Sequence, residues 1–332
     1  MARILLSHGA GGRDMLQLID SVFRRGYSPA AVSQDDSAVV TVAQADLAFT
    51  TDAFVVSPPF FPGGDIGRLA VAGTVNDLLT AAARPLVLAA AFILEEGFPL
   101  ADLERIVASM QATAAEAGVS IVTGDTKVVP RGAADQVFIT TTGLGAILRP
   151  GVSGAAAQPG DAVLLTGTLG DHGTAVLLAR ENLLSGAPVV SDAAPLTDIV
   201  LNLVAAGINL HALRDPTRGG LAATLNEIAG QAQVAIEVQE ERIPIHPAVT
   251  AACEALGFDP LTVANEGKMV VIVPAAEAGA ALDIIRGSRY GENAAHIGTV
   301  LAGPPGRVQV RTPFGTARLL DLPAGELLPR IC

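Results

Sequence analysis

Cysteine is almost absent from this 332-residue sequence, occurring only at Cys253 and Cys332. Two cysteines cannot build a disulfide framework. No C-x-x-C pair occurs, and His8, His172, His211, His246 and His296 have no ligand spacing, so no structural zinc site is expected. Tryptophan is missing and tyrosine occurs twice, which leaves few platforms for stacking nucleic-acid bases. Lysine and arginine number 21 against 33 aspartates and glutamates, a net charge of −12. A phosphate backbone requires clustered cations, so nucleic acid is not the expected partner. ATP is not excluded, because divalent cations join polyphosphates to carboxylates. Residues 78–94 are very apolar, but Arg84-Pro85 interrupts them. An arginine is costly in lipid and a proline usually ends a helix, so a helix, a turn and a buried strand are expected there, not a membrane span. Residues 1–14 lack a signal-peptide core of adequate length, and a cytoplasmic location is expected.

What the sequence has is length and apolar content. Half of it is apolar, ample for sizeable cores, and 332 residues favour two domains. Helical apolar spacing appears at 15–23, 65–83 and 100–117, the last with Gly118 placed to end it. Strands are expected at 38–42, 47–51, 86–93, 121–123 and 137–148. The Pro and Gly cluster at Pro150-Gly151 and Pro159-Gly160 marks a boundary. Beyond it, strands are expected at 162–166, 234–238, 269–273 and 294–300, and helices at 196–206, 221–232 and 275–286. This is an α+β pattern of two unequal domains, 1–150 and 151–321. The last segment, 322–332, carries Pro323, Gly325 and Pro329 and reads as an extended tail ending in Cys332.

Acidic residues recur beside glycines and at expected strand ends: Asp35-Asp36, Asp52, Asp77, Asp125, Asp171 and Asp215. Carboxylates at a sheet edge can share hard cations and, through them, a polyphosphate. Each alone reads more readily as a turn former, and it is the set that points to a shared site. Asn76-Asp77 is more telling, because Ile66, Leu69, Val71, Val75, Leu78 and Leu79 surround it, and a charge on an apolar helix is expensive unless paired or metal-bound. Gly124-Asp125-Thr126-Lys127 puts a lysine beside a candidate metal ligand, where it could steady phosphate, move a proton or simply be solvated. Glu266, just before an apolar strand, is a candidate base or an ordinary loop carboxylate. Residues 167–173 and 215–220 are glycine-rich entries to helices, places where backbone amides bind anions, or plain turns. No P-loop and no dinucleotide fingerprint occurs. Cys253 lies in a helix-like segment and reads as a core thiol, whereas Cys332 terminates the tail.

Taken in order, HGAGG, DDSAVV, FTTDAFVVSPPFFPGGDIGRLAVAGTVNDL, FILEEGFP, IVTGDTKVV, GTLGDHG, RDPTRGGL, ANEGK and the final PRIC resemble one family. It is the carbamoyl dehydratases of nickel-iron hydrogenase maturation, the E-type hydrogenase expression/formation proteins (HypE). The matching pieces span essentially the whole chain. The terminal PRIC is highly specific, and DDSA in place of DDAA is a minor departure. The resemblance implies a two-domain fold of the aminoimidazole ribonucleotide synthetase (PurM-like) superfamily, homodimeric through its N-terminal sheet, with ATP and Mg²⁺ in a groove near that interface. It further implies that a HypF-type carbamoyltransferase loads Cys332, that ATP-dependent dehydration turns the carbamoyl group into a thiocyanate, and that a HypC/HypD-type scaffold receives the cyanide. By the same resemblance Cys332, Lys127 and Glu266 are catalytic. Gly11, Gly12, Asp35, Thr51, Asn76, Thr126, Asp171, His172 and Asp215 contact nucleotide, and Asp36, Asp52, Asp77 and Asp125 hold metal. The competing expectations are another ATP-dependent kinase or synthetase of the superfamily, and a non-catalytic assembly factor.

Overall fold

Alternating apolar residues in the first half have one sheet to build. In the computed structural model, which describes residues 4–9, 12–24, 35–43, 45–181, 183, 189–323, 328 and 330–332, they build it from five strands. A short helix α1 (Arg13–Leu18) passes into a wider π turn over Ile19–Arg24, which splits the single helix expected at 15–23. Strands β1 (Ala38–Val42) and β2 (Ala45–Phe54) follow, then a small ribbon of β3 (Phe60–Phe61) and β4 (Gly64–Asp65). Helix α2 (Ile66–Thr80), strand β5 (Ala83–Glu95), helix α3 (Leu100–Ala117), and strands β6 (Ser120–Val129) and β7 (Val137–Ile147) complete the unit. The sheet order is β1-β2-β7-β5-β6, antiparallel except for the β5–β6 pair.

Helix α2 packs on β2, β5 and β7, and α3 packs on α2. The side chain of Asp65 caps α2, accepting hydrogen bonds from Gly67 N at 2.7 Å and Arg68 N at 3.0 Å. A Cβ on Gly67 would stand 2.5 Å from the Ile106 carbonyl oxygen, so only glycine lets α2 and α3 approach this closely. Gly118 closes α3 in the left-handed region, as its position in the sequence predicts.

Two expectations change here. β5 runs through Arg84-Pro85, with a register shift beside Pro85, and Leu86 and Ile93 are exposed. It is therefore covered on one face, not buried on both. β6 extends well past the expected 121–123, so Asp125, Thr126 and Lys127 sit inside the strand, paired with Ala91, Phe92 and Ile93 of β5, not in a loop after it.

The second half forms a seven-stranded sheet. Its strands are β8 (Asp161–Leu165), β9 (Ala212–Arg214), β10 (Ala235–Gln239), β11 (Val270–Pro274), β12 (Ala295–Leu301), β13 (Arg307–Arg311) and β14 (Ala317–Leu319). The order is β14-β13-β10-β12-β8-β11-β9. β8 and β11 lie inside the sheet with nearly every residue buried, as their unbroken apolar runs predict. Helices α4 (Asp171–Arg180), α5 (Thr197–Ala205), α6 (Gly220–Ala232), α7 (Pro247–Leu256) and α8 (Ala278–Gly287) complete this domain. Cys253 is buried on α7, as expected for a core thiol. Among the described residues no helix is long and apolar enough to cross a membrane.

The two domains share α2. Thirteen of its 15 residues are buried, because it also touches β9 and α5 of the second domain. One apolar core runs from the first sheet into the second domain and includes Ile331. Of the tail expected at 322–332, Gly325 and Pro329 lie outside the described residues. Ile331 is 3% exposed, so the end of the chain is docked.

Candidate active site

The open end of β2, the middle of α2 and the loop between β9 and α6 converge on an acidic cavity of about 190 Å³. β2 contributes Thr51 and Asp52, α2 contributes Gly73 and Asp77, and the segment after β9 contributes Asp215, Thr217 and Arg218. Asp36, Arg214, Glu227, Glu266 and Cys332 also stand in the wall. A side chain at Gly73 would press on Phe54, with a Cβ 3.0 Å from its ring.

Burial and mutual repulsion dominate the electrostatics. Burial pushes the carboxyls of Asp77, Asp215 and Glu266 well above the usual carboxylate range. Asp215 and Asp52 add to the rise at both Asp77 and Glu266. Asp36 and Asp52 also rise through burial, held back by Arg214 and Arg218 respectively. Thr50 donates to Asp77 Oδ2 at 2.8 Å. Glu266 is 3% exposed and its Oε1 has no hydrogen-bond partner, so an unsatisfied carboxyl oxygen stands in this wall. Burial pushes the Cys332 thiol up to about 12, with Arg218 opposing and Glu266 and Asp52 reinforcing.

Two arginines supply the positive charge, and they are differently occupied. Arg214 stands with Nε 2.8 Å from Asp36 Oδ2 and Nη1 3.8 Å from Asp35 Oδ1, and it also pairs with Glu227. Arg218 donates from Nη1 to the Gly9 carbonyl at 2.9 Å. Its charge is reinforced most strongly by Cys332 and then by Asp52, Glu266 and Asp77. Both flank Asp215 in RDPTRGGL, and neither was singled out in the sequence. The signal available was two cations bracketing one acid ahead of a helix. Gly220, at φ +60° and with the Leu261 carbonyl 2.7 Å from a would-be Cβ, makes the tight entry to α6 that aims this loop at the cavity.

The expected site residues divide into groups. Asp36, Thr51, Asp52, Asp77, Asp215, Glu266 and Cys332 share the cavity. Asp125, Thr126 and Lys127 do not line it. They lie on the exposed edge strand β6, where Lys127 Nζ is 2.7 Å from Asp125 Oδ2 and Thr126 N donates to Asp125 Oδ1 at 2.8 Å. Asn76 faces the second domain, donating to the Ala194 carbonyl at 3.0 Å and accepting from Leu196 N at 2.9 Å. Asp35 ties the N-terminal segment to the second domain through Ser153 Oγ at 2.7 Å and Gly154 N at 3.0 Å. Asp171 accepts a hydrogen bond from Thr168 and lines a separate cavity with Lys268 and Asp192. His172 reaches the tail, with Nε2 2.8 Å from the Ile331 carbonyl. Gly12 caps α1 beside the Pro323 carbonyl, and Gly11 lies outside the described residues.

Among the described residues no three acidic, histidine or cysteine side chains already stand as a metal's ligand set. The cavity nevertheless suits a divalent cation arriving with phosphate. Mg²⁺ is ordinarily held by one or two carboxylates plus phosphate oxygens and water, not by a complete protein cage. A cation there would lower the raised carboxyls of Asp52 and Asp77.

Fold and site together define a two-domain α+β protein of the AIR synthase related, PurM-like class. Residues 34–147 match the model for AIR synthase related protein, N-terminal domain, and residues 158–311 match the C-terminal domain. The carbamoyl dehydratase HypE of Cupriavidus necator is 54% identical over 334 residues, covering 99% of this chain and 95% of that protein. The chain belongs to the carbamoyl dehydratase HypE family. Among solved structures, a HypE–HypF complex superposes with a TM-score of 0.87 at 47% identity, covering 92% of this chain and 99% of the other. HypE in complex with ATP superposes with a TM-score of 0.85 at 49% identity, covering 99% and 100%.

Proposed function

We infer that this chain is an ATP-dependent carbamoyl dehydratase of hydrogenase maturation. It converts an S-carbamoyl group on Cys332 into a thiocyanate, the source of the cyano ligand of the nickel-iron hydrogenase. The observation that carries this reading is that Cys332 ends inside a cavity of buried carboxyls that also holds Glu266 and Arg218. A lone anionic pocket would suit any nucleotide enzyme of the fold. One that contains the chain's own thiol suits chemistry on that thiol.

The amide oxygen of a thiocarbamate is a poor leaving group. Transfer of the γ-phosphoryl group of ATP to that oxygen, with loss of one N–H proton, gives an O-phosphorylated imidate and ADP. Cleavage of its C–O bond releases phosphate, and loss of the second N–H proton leaves the C≡N triple bond on sulfur. Glu266, an unpaired buried carboxyl in the same wall, is the base for the first N–H proton, and the departing phosphate carries away the second. Asp52 and Asp77, with Asp36 and Asp215 beside them, would hold Mg²⁺, which would supply positive charge to the phosphates. Arg218 offsets charge at the reacting oxygen.

Asp125 and Lys127 belong to this reading through a second copy of the chain. The β6 edge is exposed, and with Val122 and Val128 it offers apolar side chains and open backbone groups to a partner. A homodimer formed there would bring Lys127 of each chain toward the groove of the other. A HypF-type carbamoyltransferase loads Cys332, and a HypC/HypD-type complex receives the cyanide.

The test is intact-mass spectrometry of the full chain incubated with carbamoyltransferase, carbamoyl phosphate and ATP. The carbamoylated species should lose one water only when ATP is present, with one ADP formed per water lost. Water loss without ATP, or ATP hydrolysis without water loss, would refute the mechanism.

A further inference from the structure

The chain's last three residues are held by more than packing. Every one of their carbonyls is engaged. Cys332 O accepts from Val55 N at 2.9 Å, and Arg330 O accepts from Ser57 N at 3.2 Å. This is the alternating pattern of a short strand added beside the continuation of β2. Arg180 on α4 donates from Nη2 to the same Arg330 carbonyl at 2.7 Å and from Nε to the Ser57 carbonyl at 2.8 Å, so one guanidinium ties the two segments together. The Ile331 carbonyl, which points the other way, meets His172 Nε2 at 2.8 Å.

His172 is built for this contact. It is fully buried at the start of α4, and Phe61 meets its ring edge-on with centroids 5.4 Å apart. A carbonyl can only accept, so the proton is assigned to Nε2, and Nδ1 then accepts from Ser191 Oγ at 2.8 Å. Ser191 is itself pinned, its backbone N donating to the Pro62 carbonyl at 2.8 Å and its Oγ accepting from Ala193 N at 3.1 Å. Burial holds the imidazole pKa down, which keeps the ring neutral. The result is a rigid donor whose acceptor is the tail. Arg330 meanwhile sits at φ +51°, a left-handed conformation that persists where surrounding contacts fix it. Its side chain donates to the Val55 carbonyl at 2.9 Å and pairs with Asp135.

We propose that His172 and Arg180 are a latch for the tail, positioning residues that seat Cys332 in the acidic cavity through the carbonyls of Ile331 and Arg330. His172 thus serves the reaction through the tail, not through the nucleotide. The proposal rests on the dehydratase reading, in which Cys332 must leave the cavity to be loaded and return to be dehydrated. The latch therefore acts with opposite sign on the two half-reactions. It favours dehydration, which needs the thiol seated, and opposes loading, which needs it free. A residue that merely stabilised the fold would impair both.

The experiment uses the full chain and three variants. His172→Phe keeps a flat ring and removes the donor, His172→Gln restores an N–H, and Arg180→Met removes the second contact from a less buried site. Two rates are read. One is iodoacetamide alkylation of Cys332, followed by peptide mass to separate it from Cys253. The other is water loss from the carbamoylated chain at saturating ATP. Loss of one buried hydrogen bond shifts the seating equilibrium about tenfold, which predicts roughly threefold faster alkylation and roughly threefold slower dehydration for His172→Phe when the two states are evenly balanced. The KM for ATP should be unchanged, His172→Gln should return toward the parent, and Arg180→Met should move both rates in the same directions. Alkylation at or below the parent rate in both His172→Phe and Arg180→Met would overturn the latch. So would a fall in both rates that His172→Gln fails to reverse while Arg180→Met matches the parent. If the parent itself never loses water, the dehydratase reading fails, and the alkylation rates still decide whether the tail is latched.

Discussion

The acidic cavity and the β6 edge both carry residues read from the sequence as catalytic, yet the fold treats them oppositely. In the cavity, Glu266, Asp77 and Asp215 are packed inside the chain, with their carboxyls forced upward by burial. On β6, Asp125 and Lys127 are more than 60% exposed in their side chains and neutralise one another in water. There the Asp125 carboxyl is held below its usual range, chiefly by Lys127. A folded chain spends stability on burying uncompensated charge only where something else repays it. The cavity carries that signature within a single chain. β6 would acquire it only when covered by a second copy.

Removing Cys332 should have the largest effect. Cys332→Ala should leave no carbamoylated or dehydrated product by intact mass, while the circular dichroism spectrum stays that of the parent. Product on Cys253 would break the distinction between the two thiols. Glu266→Gln should slow dehydration by roughly 10²–10⁴, the range for loss of a general base. Nucleotide affinity should fall little, and unchanged single-turnover dehydration at saturating ATP would remove Glu266 from the chemistry.

Lys127→Ala should cost less, about a hundredfold, the usual scale for losing one electrostatic stabiliser. The comparison is sharpened by mixing. If Lys127 acts across the dimer, a mixed dimer of Lys127→Ala and Glu266→Gln subunits regains one intact site, because each chain supplies what the other lacks. No recovery on mixing, with mixed dimers verified by native mass spectrometry, would place Lys127 in its own chain's site or outside the reaction. Asp77→Asn should weaken ATP binding about tenfold at saturating Mg²⁺ and much less without it, as read by calorimetry. Equal losses with and without the metal would argue for a packing defect.

The smallest effect concerns pH. The cavity carboxyls have folded pKa values above their unfolded ones, so the folded state binds more protons and stability falls as pH rises. The window runs from the ordinary carboxylate value of about 4 upward to the raised native values. Below it both states are protonated and this contribution to stability is complete. Above it the contribution is lost. Acids such as Asp125 and Glu237, whose pKa values are lowered chiefly by Lys127 and Arg311, oppose this slope. The informative quantity is therefore a difference. Asp77→Asn should melt at a higher temperature relative to the parent at pH 7.5 than at pH 5, and Mg²⁺ with ATP should shrink that gap. A gap independent of pH would contradict the burial argument at Asp77.

Much of this was legible beforehand. Unbroken apolar runs located β8 and β11, Gly118 ended α3, and the apolar setting of Asp77 marked it as more than a turn former. What misled was local context without partners. The run at 86–93 looks the same whether a strand is covered on one face or both, and only the helix layer decides which. Asp125 after Gly124 has the look of a strand end, but β5 supplies a parallel neighbour and the strand continues through it. His172, four residues from no other ligand and inside a glycine-rich segment, gave no sign that its partner is a carbonyl 159 positions away. Long-range hydrogen bonds of that kind leave no period or spacing to read.

Helix α2 has a consequence for how the molecule comes apart. Nearly all of its surface is covered, partly by its own sheet and partly by the second domain. Detaching one domain from the other would strand apolar area on both, and Asn76 would lose two hydrogen bonds that cross between them. In a scanning calorimeter the two domains should therefore melt as one transition, with no separate endotherm for either domain. A core shared through one helix also means that the travel of the reacting sulfur falls to the short segment that carries it.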